Sequence, residues 1–226
     1  MGFELVVFDM AGTTVRDQGN VNDAFRSAFA ESGMIVSVED VDLVMGYRKM
    51  EAIEIILRKY LEAMEFDAAR ISLIHDLFTK KMVAFYEIDK NLEPLPYVIE
   101  IFTKLKSVGI KIALNTGFTR VITEAILARL GWENLSLIDK VICSDEVVEG
   151  RPHPYMIQAI MEDLGITDSS KVVKVGDTSV DVLEGQFAQC GLVIGVTTGA
   201  YTRKQLLEYQ PDFIIDSLQE LPALIC

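Results

Sequence analysis

Four short stretches carry residue types that could do chemistry. Leu5-Val6-Val7-Phe8 is an apolar run that stops on Asp9, and Met10-Ala11-Gly12-Thr13-Thr14 follows at once. Ile110-Lys111-Ile112-Ala113-Leu114 leads into Asn115-Thr116-Gly117, and Val172-Val173-Lys174-Val175 into Gly176-Asp177-Thr178, with Asp181 close behind. The loop Glu149-Gly150-Arg151-Pro152-His153-Pro154 adds a guanidinium. Parallel strands present function at their carboxyl ends, so Asp9, Thr116 and Asp177 would meet on one edge of a sheet. Two or three carboxylates there suit a hard divalent cation, and Mg²⁺ typically keeps waters, one or two carboxylates and substrate phosphate. The Thr116 hydroxyl, with backbone N–H groups at Gly117 and a helix N-terminus behind them, suits a phosphoryl oxygen. Gly12 lets the chain turn sharply and brings N–H groups near whatever Asp9 touches. Arg151 offers a fixed positive charge in a forked geometry. An aspartate nucleophile, a metal and a cation together make a phosphoryl-transfer site.

The elements that must position these residues change character along the chain. From Val15 to about Leu92 the pattern is helical: Asn22 to Ser32, a helix capped by Ser37 that runs into Met45 and breaks at Gly46, Met50 to Met64, and Asp67 to Tyr86. Ser37-Val38-Glu39-Asp40 resembles a capping box. Turn-rich stretches bound this block near Asp17-Gln18-Gly19-Asn20 and Leu92-Glu93-Pro94-Leu95-Pro96. Strands and helices then alternate: helix 97–108, strand 110–114, helix 119–130, strand 140–143, helix 154–164, strand 172–175, helix 181–189, strand 192–196 and a short strand 213–215, with a helical turn from about Ser217. Such alternation with right-handed crossovers gives a parallel sheet covered on both faces. The expected fold is α/β, a Rossmann-like parallel sheet core formed by residues 1–16 and 93–226 with an inserted α-helical cap domain, 17–92.

Composition narrows the function classes. With 21 Lys and Arg against 34 Asp and Glu the net charge is −13, which repels polyanions, so neither nucleic acid nor a membrane surface is an expected partner. The three cysteines, Cys143, Cys190 and Cys226, are odd in number and follow no motif spacing, which suits reduced thiols. No apolar run approaches the roughly 20 residues of a spanning helix, and no signal peptide is visible, so a cytoplasmic location is expected. Cys143 and Cys190 read as small buried apolar residues, His75 as structural, and Met50 and Met64 as packing.

The four ordered motifs, Asp9, Thr116, Arg151 and Gly176-Asp177 with Asp181, resemble those of the haloacid dehalogenase superfamily over essentially the whole chain. The resemblance implies that Asp9 attacks the substrate phosphorus to give an aspartyl-phosphate that water hydrolyses. It implies Mg²⁺ between Asp9, the backbone carbonyl of Ala11 and Asp177, with Asp181 close by or in the second shell, and a mobile helical cap that selects the substrate. Arg151, Thr116, Gly117 and Gly12 would contact the phosphoryl group.

Two features resemble one branch, the phosphonoacetaldehyde hydrolases or phosphonatases. Ala11 stands where most phosphatases of the superfamily carry an aspartic acid that protonates the leaving alcohol, and Arg151 stands where most carry lysine. Met45-Gly46-Tyr47-Arg48-Lys49 resembles the cap segment whose lysine forms a Schiff base with the substrate aldehyde. A protonated imine is an electron sink for a carbon leaving group, so no acid is needed at position 11. Lys49 must be neutral to attack, and a dry cap–core interface with Arg48 nearby would lower its pKa from about 10.4. Met45 is expected to line the pocket. Two residues depart from the branch: Ala52 where it has a histidine, and Phe118 where many members have tyrosine. The implied function is Mg²⁺-dependent cleavage of the C–P bond of a small 2-oxoalkylphosphonate. The alternatives are a phosphomonoesterase of the phosphoglycolate phosphatase kind and an inactive binding protein. Expected partners are a small phosphorylated or phosphonate substrate and, in assembly, a second copy of the chain as a homodimer.

Overall fold

Six strands, β1 (Leu5–Asp9), β2 (Lys111–Thr116), β3 (Lys140–Cys143), β4 (Val172–Gly176), β5 (Leu192–Val196) and β6 (Phe213–Ile215), pair in parallel in the order β3-β2-β1-β4-β5-β6. The structure, a computed structural model, describes residues 2–61 and 66–225. β1 is flanked by β2 and β4, so all five of its residues are buried and its last residue, Asp9, opens on the carboxyl edge. The Rossmann-like parallel sheet expected from the alternating pattern is thus the observed core.

Period-2 alternation divides the strand residues between two faces. Val6, Phe8, Ile112, Leu114, Val173 and Val175 lie in the larger hydrophobic cluster, where Phe8 packs on Phe102 with ring centroids 5.2 Å apart. Phe102 belongs to the helix Val98–Ser107. Leu5, Val7, Ala113 and Val172 face the other way, onto Met156, Ile157 and Ile160 of the helix Tyr155–Leu164.

Between β1 and Val98 lie α1 (Asn20–Glu31), α2 (Val38–Asp42), α3 (Lys49–Tyr60) and α4 (Ala68–Ile88); in chain order the helices Val98–Ser107, Arg120–Leu130, Tyr155–Leu164, Ser179–Phe187, Arg203–Leu207 and Pro222–Ile225 follow as α5 to α10. The chain leaves and re-enters the core side by side: Val15 bridges Pro94 in antiparallel sense, Arg16 N–H donates to Glu93 O (3.1 Å) and Leu95 N–H to Thr14 O (3.0 Å). α4 packs against α1, α3 and α6. One continuous hydrophobic cluster joins the insert to the sheet.

Several element boundaries differ from the sequence reading. α2 ends at Asp42 and does not reach Met45, because Val44 and Met45 donate to Val41 and Asp42 in tight turns and Gly46 adopts φ +85°. α3 begins at Lys49 itself, and the expectation that it reaches Met64 lies outside the described residues, as do Met64 and Cys226. α8 starts two residues early because Thr178 caps it: Asp181 accepts from the Thr178 N–H (3.2 Å) and hydroxyl (2.6 Å). α9, a short helix capped by Thr202, was not expected. Among the described residues no helix is long and apolar enough to cross a membrane.

Candidate active site

The strand register builds a buried polar layer beneath the carboxyl edge. Asp9 pairs with Asn115, and Val7 with Lys174, so Asp9, Asn115 and Lys174 emerge on one face of three neighbouring strands. Arg151, fully buried on the loop before α7, ties them together. Its Nη1 meets Asp9 Oδ1 at 2.6 Å and Asp181 Oδ1 at 3.0 Å, its Nε meets Glu184 Oε2 at 3.0 Å, and its Nη2 donates to Asn115 O at 2.8 Å. Lys174 Nζ reaches Asn115 Oδ1 (2.7 Å), Asp181 (3.0 Å) and Glu184 (3.1 Å). Asn115 Nδ2 donates to both Glu184 oxygens at 2.9 Å. Charges withdrawn from water this completely persist only when paired and hydrogen-bonded.

Above the layer lies a cavity of about 150 Å³ walled by both the core and the helical insert. Asp9, Ala11, Gly12, Thr116, Gly117, Asp177 and Thr178 line it from below, and Asp17, Asn22, Asp42, Met45, Gly46, Lys49 and Phe118 complete the wall. Its volume is small beside the roughly 300–1,000 Å³ of ordinary small-molecule sites, which limits it to a ligand of few heavy atoms. Two glycines let the insert close so far. A Cβ on Gly117 would stand 2.5 Å from Tyr47 O and 2.6 Å from Gly46 O, and one on Gly46 would stand 2.3 Å from Thr178 Oγ1. Asp177 is seated the same way, since a Cβ on Gly12 or Gly199 would meet its Oδ2 at 2.6 or 1.9 Å. It accepts from Thr13 Oγ1 (3.1 Å) and the Ala200 N–H (2.7 Å).

Lys49 reaches into this cavity from the first turn of α3 and is only 4% exposed. Its Nζ lies 5.2 Å from the Phe118 ring centroid and 5.8 Å from that of Phe25, and donates weakly to Tyr47 O at 3.4 Å. Burial lowers its pKa to about 8; Asp9, Asp17 and Asp177 oppose the fall and Arg151 adds to it. The two rings favour the charged form by about 0.5–2 kcal/mol. Desolvation outweighs them, since a drop from 10.5 to about 8 is ~3 kcal/mol in the other direction.

Comparisons with known proteins give the family. The family model of haloacid dehalogenase-like hydrolases matches residues 3–188. The chain belongs to that family. A phosphonoacetaldehyde hydrolase of Bacteroides fragilis is 30% identical over 256 aligned residues, covering 98% of this chain and 95% of the relative. A bifunctional phosphonoacetaldehyde hydrolase/aminoethylphosphonate transaminase of Clostridioides difficile is 34% identical, over 80% of this chain and 29% of the larger protein. The crystal structure of a phosphonoacetaldehyde hydrolase-like protein from Oleispira antarctica matches with TM-score 0.88 and 22% identity, over 100% of this chain and 92% of that one, a likeness of fold.

The hydrolase brings Asp9, Gly12, Met45, Lys49, Thr116, Gly117 and Asp177 to one cavity, and gives Arg151, Gly12 and Arg48 surroundings other than the sequence suggested. Arg151 is not on the wall: Asp181 and Glu184 draw it behind Asp9, so it makes its contact with Asp9 and acts on the cavity by its charge. Asp181 is held by the same ion pairs and by its cap on Thr178, and the strong cations hold it below the usual carboxylate range despite its burial. The Gly12 N–H is taken by Val15 O at 2.8 Å, so this glycine contributes room and not a donor. Arg48 points to the core loop, donating to Val148 O at 3.1 Å, and the cation that lowers Lys49 is Arg151. His153 stacks on Tyr155 and is half-exposed. Cys143 is buried and Cys190 half-buried, and burial pushes both thiols up to about 12.

Sequence reasoning missed Lys174, Asn115 and Glu184, and on the cavity wall Asp17, Asn22 and Asp42. One signal was available: a single lysine inside a strand otherwise apolar and buried on both faces requires an acidic partner.

Proposed function

We propose that this hydrolase cleaves the carbon–phosphorus bond of a small 2-oxoalkylphosphonate of the phosphonoacetaldehyde type, through an imine on Lys49 and phosphoryl transfer to Asp9. The observation that carries the reading is a buried lysine with a pKa of about 8 lining the same small cavity as the strand-end aspartate. An amine of that pKa is neutral in roughly a tenth of molecules at pH 7, against about 4 in 10,000 at the ordinary value near 10.4. The relatives named above lend the substrate class.

Lys49 Nζ adds to the carbonyl carbon, and loss of water leaves a protonated imine. Asp9 takes the phosphorus while the C–P electrons move into the C=N group, giving an enamine. The leaving group is carbon, so Ala11 need supply no proton. Thr116 and Gly117 bind the phosphonate oxygens, and water then hydrolyses the aspartyl-phosphate; protonation of the enamine carbon and hydrolysis of the resulting imine release the aldehyde and free Lys49. Burial and the charge of Asp181 push the Asp9 carboxyl up, while Arg151, which keeps it aligned, and Lys174 oppose the rise.

The residues also fit a divalent cation. Asp177 is pushed well above the usual carboxylate range by burial and then by the charges of Asp9 and Asp181, a cost that a bound cation would remove. Among the described residues no three His, Cys, Asp or Glu side chains are arranged to hold a metal ion; the donors that would hold a cation are Asp9, Asp177 and the Ala11 carbonyl, a sparse oxygen set that Mg²⁺ tolerates. When bound, the ion would neutralise phosphonate charge facing Asp9.

The apolar neighbours of Lys49, Ala52 and Phe118, favour a second reading in which the lysine only pairs with an anionic phosphomonoester. Phosphate release from phosphonoacetaldehyde and from phosphoglycolate, wild type against Lys49→Ala, separates the two. The first reading expects Lys49→Ala to lose at least about 10³-fold on the phosphonate. A modest rise in KM with kcat kept, on either compound, would support the second.

A further inference from the structure

The imine step needs a group that moves protons between nitrogen and oxygen, and the cavity holds few titratable side chains besides Lys49: Asp9, Asp177, Asp17 and Asp42. Asp9 is paired to Arg151, and Asp177 is fixed by Thr13 and Ala200 beside the phosphoryl end. Asp42 is engaged by Asn22, whose Nδ2 donates to its Oδ1 at 2.6 Å. Asp17 differs. Its Oδ1 alone accepts the N–H groups of Gly19 (3.1 Å), Asn20 (2.9 Å) and Val21 (3.5 Å) at the start of α1, and its Oδ2 makes no hydrogen bond among the described residues. One oxygen therefore anchors the carboxyl group while the other is left for exchange.

We propose that Asp17 is the acid–base residue that carries protons from the Lys49 nitrogen to the departing carbonyl oxygen; this rests on the imine reading given above. The balance closes on the chain's own groups. Lys49 and Asp17 form no ion pair among the described residues, so the transfers run through one bridging water: of three protons on the Lys49 ammonium, Asp17 takes one to free the lone pair that forms the N–C bond, and returns it to the oxygen as the C=O π bond opens. It removes a second proton from nitrogen in the carbinolamine and gives it to the same hydroxyl. The C–O bond then breaks, water leaves with both protons, and the third stays on the iminium nitrogen. No other reactant is required. Each return of Asp17 to the carboxylate restores it for the next transfer.

The surroundings suit a carboxyl that must hold a proton briefly. Burial raises Asp17, while the backbone donors and Lys49 pull the other way. Lys49 on α3 and Tyr86 on α4 are the groups of neighbouring elements that feel its charge, and burial keeps the Tyr86 phenol protonated.

The test isolates imine formation in Asp9→Asn protein, which cannot accept the phosphoryl group. Phosphonoacetaldehyde is added and sodium borohydride is pulsed at timed intervals; the secondary amine on Lys49 is then measured by mass. Adding Asp17→Asn keeps the backbone acceptor and removes the transferable proton, so the trapping rate is expected to fall by about 10²-fold or more. The final adduct yield should be unchanged, and Asp17→Glu should recover part of the rate. A merely structural role would change yield and rate together. If Asp17→Asn does not fold, Asp17→Ser retains an oxygen acceptor for the helix start and must show the same slowing. Equal trapping rates with and without the Asp17 carboxyl would overturn the assignment while leaving the imine intact. No adduct on Lys49 in any variant would overturn both.

Discussion

On the proposed imine reading, Lys49 is the residue at which folding and function pull against each other. Below pH 8 it is protonated in the folded and the unfolded chain, and the fold bears the cost of a buried ammonium. Between about 8 and 10.5 only the unfolded chain holds the proton, so stability rises with pH through that window. Lys49→Met should therefore stabilise the protein at pH 7 by up to ~3 kcal/mol, several degrees in a chain of this size. The advantage should vanish above pH 10.5, a difference that paired thermal melts would read. Lys174 shows the opposite case. Removing it as Lys174→Met leaves Asp181 and Glu184 short of a cation, and denaturant unfolding should show a loss of about 3–5 kcal/mol. The lysine in the insert was legible from its Met-Gly-x-x-Lys setting. Its burial was not, because Phe25 and Phe118 arrive from elements far apart in sequence.

At the scale of elements, closure depends on backbone meeting backbone. The turn Gly46-Tyr47 between α2 and α3 lies on Gly117 at the end of β2, and no side chain fits between them. Gly117→Ala should hold the insert off the core, admit water to the cavity and cost about 10²-fold in kcat/KM. The Lys49 amine should move back toward 10.5 in the same variant, measurable by the pH dependence of its chemical modification. The strands and most helices were legible because apolar periodicity and caps agree with the final packing, as in α6, closed by Gly131, and β5. The end of α2 was not, because Val44 and Met45 continue an apolar pattern while their N–H groups close tight turns onto Val41 and Asp42, and Gly46 after them sits close against Thr178 and Val180 of the core. Arg151 was legible as a required cation. Its withdrawal behind Asp9 follows from Asp181 and Glu184 on α8, and only the strand register brings these into line.

For the whole molecule, an acidic body of net charge −13 encloses the cavity in which the proposed anionic substrate would bind, and a cation is the natural mediator. Chelation should stop phosphate release and Mg²⁺ restore it. Saturating Mg²⁺ should raise the melting temperature, since a ligand at 100 times its Kd adds about 2.7 kcal/mol. Asp177→Asn should abolish that shift. The insert joins the core through the paired segments at Val15 and Pro94 alone in covalent terms, so opening there would admit substrate while the sheet and its polar layer stay fixed. Bringing Lys49 and Asp9 to one cavity is what the two parts achieve together. The most direct test is borohydride reduction of wild-type protein during turnover of phosphonoacetaldehyde, followed by peptide mapping. A two-carbon secondary amine confined to Lys49, with turnover lost in proportion, is the predicted result. Continued turnover with Lys49 unmodified would contradict it.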